Sequence, residues 1–183
     1  MWKGLRTAAF PADAARARLT EAGLPVEMRR AWGTYLVERA PDGLRLTVEA
    51  PTLARLFIDA ARAMGAELGE QPGDSDVGPA QVAGEARQLS VVAASADQLL
   101  AAWLGELLYS ARQTRRLFSA ISLRRINSGH LRAELRGERE IRWRIDPMSV
   151  TVADARVATL ADQLAKRFVA HVRLAPPRTP GKS

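Results

Sequence analysis

Residues 95–109 read SADQLLAAWLGELLY. Ser95 followed three residues later by Gln98 has capping-box form: the serine oxygen takes an N–H of the first turn and the glutamine reaches back. Leu99, Leu100, Trp103, Leu104, Leu107 and Leu108 then recur at helical spacing and make one broad apolar face. Such a face must be covered by a sheet or a second helix. A helix over 95–115 is therefore expected at the centre of the fold.

Working upstream, Leu53, Leu56, Phe57, Ala60, Met64 and Leu68 repeat the helical spacing, and Pro51 stands where a first helical turn tolerates a missing N–H. Strands are expected on both sides of these helices. Trp32 to Val37 and Leu44 to Val48 read as a pair joined by the turn Pro41-Asp42-Gly43. Ala86 to Ala94 reads as a strand that leads into Ser95. Beyond the second helix, Ile121 and Leu123, then Leu131, Ala133 and Leu135, then Ile141, Trp143 and Ile145 alternate with polar residues. Met148, Val150 and Val152 continue the alternation, and Phe168, Ala170, Val172 and Leu174 end it. Asn127-Ser128-Gly129 suits a tight hairpin. Leu160 to Lys166 reads as a short helix or a helical loop. The pattern predicts an α+β domain with two main helices, near 51–68 and 95–115, packed on one face of a mostly antiparallel sheet that includes 131–136 and 141–145.

At 183 residues the chain suits one domain with a short appendage. We expect an N-terminal extension over 1–31 with a short helix from Pro11 to Gly23, a domain over 32–176, and a disordered tail over 177–183. There is no cysteine, which excludes disulfides and thiolate metal sites. No apolar run approaches a membrane span and no signal peptide is visible, so a cytoplasmic protein without a membrane partner is expected.

The formal charge of +7 and a pI near 10.9 point to an acidic partner. The cations are nearly all arginine, since only Lys3, Lys166 and Lys182 are lysines. Arginine grips phosphate and carboxylate bidentately, which suits RNA or an acidic protein surface. A genome rich in arginine codons explains the same excess. On the strand pattern, Arg132, Arg136, Arg142 and Arg144 fall on the face away from the helices and are the candidate RNA- or partner-binding residues. Aromatics are only 5% of the chain, and Trp143 reads as inward-facing, which argues against a base-stacking platform.

No catalytic motif is present. His130 and His171 have no acidic or nucleophilic neighbour in sequence, and no nucleophile elbow or glycine-rich phosphate loop occurs. Both read as surface or hydrogen-bonded histidines, and no catalytic residue is assigned. Asp74-Ser75-Asp76 has the look of a calcium loop but lacks the further ligands, and reads as a solvated loop.

The exact letters add a resemblance. Trp103-Leu104-Gly105-Glu106-Leu107-Leu108-Tyr109 resembles the WLNELLY-type helix of the archease family. Thr52-Leu53-Ala54-Arg55-Leu56-Phe57 followed by Ala60-Ala61-Arg62-Ala63-Met64 resembles that family's first helix, in its order and spacing. The likeness runs from about Tyr35 to about Pro176. It implies a small non-enzymatic protein that assists a GTP-dependent tRNA-splicing RNA ligase, promoting its guanylylation and turnover. It also implies a divalent cation, calcium, held by two aspartates and a backbone carbonyl. The first aspartate corresponds to Asp42, which ends a motif that is His-Thr-Ala-Asp in the family and Arg39-Ala40-Pro41-Asp42 here. The second position corresponds to Ala175, followed by Pro176. One carboxylate is a poor site for a hard cation, and Arg39 beside it is expected to pair with Asp42 instead. No cofactor is expected on that ground. The alternative function is thus an archease-fold protein without metal, acting as a basic RNA- or protein-binding module.

Overall fold

The structure, a computed structural model, describes residues 26–30, 34–70, 86–140, 142–161 and 166–177. In chain order these form β1 (Val26–Arg30), β2 (Thr34–Ala40), β3 (Gly43–Ala50), α1 (Leu53–Leu68), β4 (Gly69–Glu70), β5 (Arg87–Val92), α2 (Ala96–Thr114), β6 (Arg116–Ile126), β7 (His130–Glu140), β8 (Arg142–Trp143), a 3-10 turn at Pro147–Ser149, β9 (Thr151–Ala161) and β10 (Lys166–Ala175). The short helix expected at 11–23, the Asp74–Asp76 loop and the tail beyond Pro177 lie outside the described residues.

Both helices start where their local chemistry says. The Thr52 hydroxyl accepts from the Arg55 N–H at 3.1 Å, with Pro51 just outside the cap. The Ser95 hydroxyl accepts from the Gln98 N–H at 3.3 Å, and the Gln98 amide oxygen reaches back to the Ala94 N–H at 3.2 Å. The second half of this capping box is thus displaced one residue upstream. α2 ends on Arg115 in the left-handed region, φ 56°, whose N–H caps the Ala111 carbonyl.

A five-stranded antiparallel sheet has the order β1-β2-β3-β10-β9, and a three-stranded one has the order β5-β7-β6. Each helix packs against both. The single sheet expected to carry 131–136 and 141–145 is therefore two structures. Residues 131–136 lie in β7, whereas β8 pairs with β4 in a two-stranded ribbon, Gly69 opposite Trp143. The ribbon is fixed by the end of α1, because the Arg144 and Ile145 N–H groups both donate to the Leu68 carbonyl, at 2.9 and 3.1 Å.

The core lies where the two sheets meet the helices. Leu46, Val48, Ala170, Val172, Leu131, Ala133 and Leu135 face Leu56, Phe57, Met64, Leu99, Leu100, Trp103 and Leu104, and all are buried. Trp103 is fully buried, and its Nε1 donates to the Phe57 carbonyl at 3.2 Å, joining the helices. Asp97 accepts from the Val157 N–H at 2.8 Å, and the Arg112 guanidinium donates to the Pro147 and Val150 carbonyls. These bonds tie both ends of α2 to the segment around β9.

Three further expectations change. Val26–Arg30, within the stretch read as an extension, pairs with β2 at the sheet edge. Leu160 and Lys166 are strand residues rather than helix, because the ladder Lys166–Ala161 and Arg167–Leu160 extends the β9–β10 pair. Met148 belongs to the 3-10 turn and is exposed; Asp146 caps that turn by accepting from the Met148 N–H at 3.0 Å.

Candidate functional site

The hairpin between β2 and β3 is closed by Pro41 and Asp42, with Ala40 opposite Gly43. Gly43 has φ +136°, and a Cβ there would sit 2.1 Å from the Leu174 carbonyl oxygen and 3.0 Å from the Ala175 Cα. Only glycine lets the turn lie this close to the end of β10. The fold thereby places Asp42 next to the Leu174–Ala175 backbone.

The surroundings of Asp42 are cationic. Its Oδ2 accepts from Arg45 Nη2 at 3.4 Å and from Arg173 Nη1 at 3.3 Å, and Arg45 also reaches Glu38 at 3.3 Å. Arg45 and Arg173 are directly opposed in register. Partial desolvation pushes the Asp42 carboxyl up, but Arg45, the turn backbone and Arg173 together outweigh it and hold the group below its ordinary value.

The expected Arg39–Asp42 pair does not form. Tyr35, Val37 and Arg39 share the helix-facing side of β2, and Arg39 Nη2 donates to Glu67 Oε2 at 3.0 Å. The Tyr35 hydroxyl donates to the other oxygen of Glu67 at 3.2 Å, and the Glu67 side chain has no exposure. Strand alternation decides this outcome, since Arg39 and Arg45 lie on opposite faces of the hairpin.

The residues at this corner do not fit a divalent cation. Ala175 offers no side-chain oxygen, and its carbonyl already accepts from the Thr151 hydroxyl at 3.2 Å. One carboxylate engaged by two guanidinium groups has no anionic surplus with which to repay dehydration of the ion. Among the described residues no group of three or more His, Asp or Glu side chains is arranged to hold a metal.

The four candidate arginines separate. Arg132 and Arg136 are exposed on the outer face of β7; Arg142 and Arg144 are exposed in and just after the ribbon strand β8. Arg136 pairs with Glu134, which also takes Arg124 Nε at 3.1 Å and Nη2 at 2.6 Å. These two arginines cover Glu134, leaving it buried. A bulge between Leu123 and Arg125 interrupts the β6–β7 register, so Arg125 falls opposite Arg132. Arg124, Arg125 and Glu134 escaped the sequence reading, although the Arg124-Arg125 pair in an otherwise alternating strand marks the break. The histidines lie on different sheets, each at hydrogen-bond distance from a hydroxyl: His130 Nε2 to Ser90 Oγ at 3.2 Å, His171 Nδ1 to Thr47 Oγ1 at 3.1 Å.

Among the described residues no helix is long and apolar enough to cross a membrane. No curated protein matches the chain. The sequence profile of the archease protein family matches residues 42–172, from Asp42 through both helices, the three-stranded sheet, β3, β9 and most of β10 to three residues short of Ala175. With most of its length covered by that match, the chain belongs to the archease family.

Proposed function

We propose that this protein is a non-enzymatic accessory factor of an RNA-processing enzyme, and specifically that it assists a GTP-dependent tRNA-splicing RNA ligase in the cytoplasm by promoting guanylylation and turnover of the ligase. The observation that carries the reading is the family match over residues 42–172, which spans the whole helical core. The test uses the purified ligase of the same organism. Its guanylylation by radiolabelled GTP, and the number of joining cycles per enzyme, are measured with and without this protein. Stimulation beyond a single turnover supports the reading; unchanged ligase kinetics with a folded protein refute it.

A second reading is an archease-fold protein that works without metal as a basic RNA- or protein-binding module. It is favoured by one observation, the occupation of the Asp42 carboxylate by Arg45 and Arg173. The same assay separates the two: the first predicts stimulation of the ligase and the second predicts none.

A further inference from the structure

On the outer face of β3, β10 and β9 the arginines are matched by carboxylates: Arg45 with Glu38 and Asp42, Arg173 with Asp42, Arg167 with Glu49 at 3.0 Å, Arg156 with Asp154 at 3.4 Å. The outer face of the three-stranded sheet differs at its turn end. Arg125 and Arg132 are exposed and directly opposite one another across β6 and β7, and neither has an ion-pair partner among the described residues. Like charges in directly opposed positions weaken a strand pair. The bulge between Leu123 and Arg125 adds Arg124 beside them, with its guanidinium on Glu134. Bulges re-aim side chains in this way where a sheet serves a site.

The turn is held by its own side-chain hydrogen bonds. Asn127 Oδ1 accepts from the Gly129 and His130 N–H groups at 3.0 and 2.8 Å. Glu138 and Glu140 lie on the same strand as Arg132 but at its far end, roughly 20 Å and more away at about 3.4 Å per residue. The nearer carboxylate on that strand, Glu134, is taken by Arg124 and Arg136, so Arg125 and Arg132 keep their charge unmatched among the described residues.

We propose that Arg125 and Arg132, flanked by Arg124, form a contact site for the phosphate backbone of a structured RNA. A protein partner would need an apolar anchor at the centre of the contact. The neighbours of this pair are Ser90, Gln88, Ser122 and the Glu134 carboxylate that Arg124 and Arg136 cover, with Val92 alone apolar at the edge. Exposed aromatics for stacking unpaired bases are also missing there among the described residues. What is left is paired positive charge on a flat face, which suits a polyanion read through its backbone. The choice of RNA over DNA rests on the functional reading above; the location of the site does not.

The test is binding of this protein alone, without any ligase, to a fluorescent RNA hairpin across a salt series. Arg125→Gln with Arg132→Gln should weaken binding at least tenfold and make the log–log salt slope shallower by about two. Its melting temperature should be equal to or above that of the parent, since a like-charge pair is relieved. Arg156→Gln with Arg167→Gln, the same charge change on the other sheet, should weaken binding less than threefold. Equal losses from both pairs, or an Arg125/Arg132 variant within twofold of the parent, would overturn the site. Equally tight binding of a DNA hairpin of the same sequence would overturn the choice of RNA. Equally tight binding of polyglutamate would show an acidic-protein surface and overturn the phosphate assignment. Ligase stimulation without RNA binding, or the converse, tells the two proposals apart.

Discussion

Glu134 lies beneath two guanidinium groups and is buried by them. Hydrogen bonds from Arg124 first and Arg136 second outweigh the effect of burial and hold its carboxyl below the usual range. The unfolded chain therefore binds this proton more readily than the folded one. The stabilisation is fully present above the unfolded value, about 4.3, and is lost as pH falls through the lower folded value. Glu134→Gln should be less stable than the parent at neutral pH, and the gap should close as the pH falls below about 4. Thermal melts of both proteins from pH 7 to pH 2.5 measure this, and a gap constant with pH would refute the ion-pair account. Trp103 is the opposite kind of residue, fully buried with its Nε1 satisfied by the Phe57 carbonyl. Trp103→Ala removes packing between the two helices together with the bond from Nε1 to the Phe57 carbonyl, so a loss on the order of 3–5 kcal/mol is expected. A urea midpoint equal to the parent's would refute it.

At the scale of elements, the helices were legible because their causes are local. Ser95 and Gln98 write the start of α2 within a few residues, and the leucine spacing of α2 is its buried face. For α1 the apolar spacing gave the helix, while the cap is Thr52 and Pro51 stands before it rather than in the first turn. The Asn127–Gly129 turn was legible for the same reason. What the sequence left open depends on partners distant in the chain. Arg39 was expected to reach Asp42, three residues on, but Glu67 at the far end of α1 takes it. Arg124 and Arg125 look like one inward and one outward residue until a bulge brings Arg125 opposite Arg132. The extended ends of β9 and β10 follow from their pairing, which no short window of sequence records. The β2–β3 hairpin stands between these cases. Asp42 and Gly43 announce a turn, yet only the fold shows why Gly43 is required. With φ +136° and the Leu174 carbonyl 2.1 Å from any Cβ, Gly43→Ala adds a clash to a backbone conformation that itself costs about 1–3 kcal/mol. Urea unfolding should show the midpoint falling with the slope unchanged. A midpoint unchanged from the parent's would mean that the turn and β10 are further apart than described.

At the scale of the whole molecule, the order β2-β3-β10 brings Asp42 beside Ala175, at the far end of the chain. The two positions that the archease resemblance implies for a cation are thus brought together by the fold. Two arginines stand at the carboxylate and a methyl group stands at the second position. Linkage makes the consequence measurable, because a ligand that binds only the folded state raises its stability by RT ln(1 + [L]/Kd). The parent should show no rise in melting temperature between EDTA and millimolar calcium. Restoring the site requires more than one carboxylate, since Arg45 and Arg173 would compete with the ion for Asp42. Ala175→Asp combined with Arg45→Gln and Arg173→Gln should place two uncompensated carboxylates together. That variant should melt below the parent in EDTA, through their repulsion, and regain stability as calcium is added. Arg39 is left in place in this design because its guanidinium belongs to Glu67. A calcium-dependent rise in the parent that disappears in Asp42→Asn would refute the account, by showing that other oxygens complete a site around Asp42.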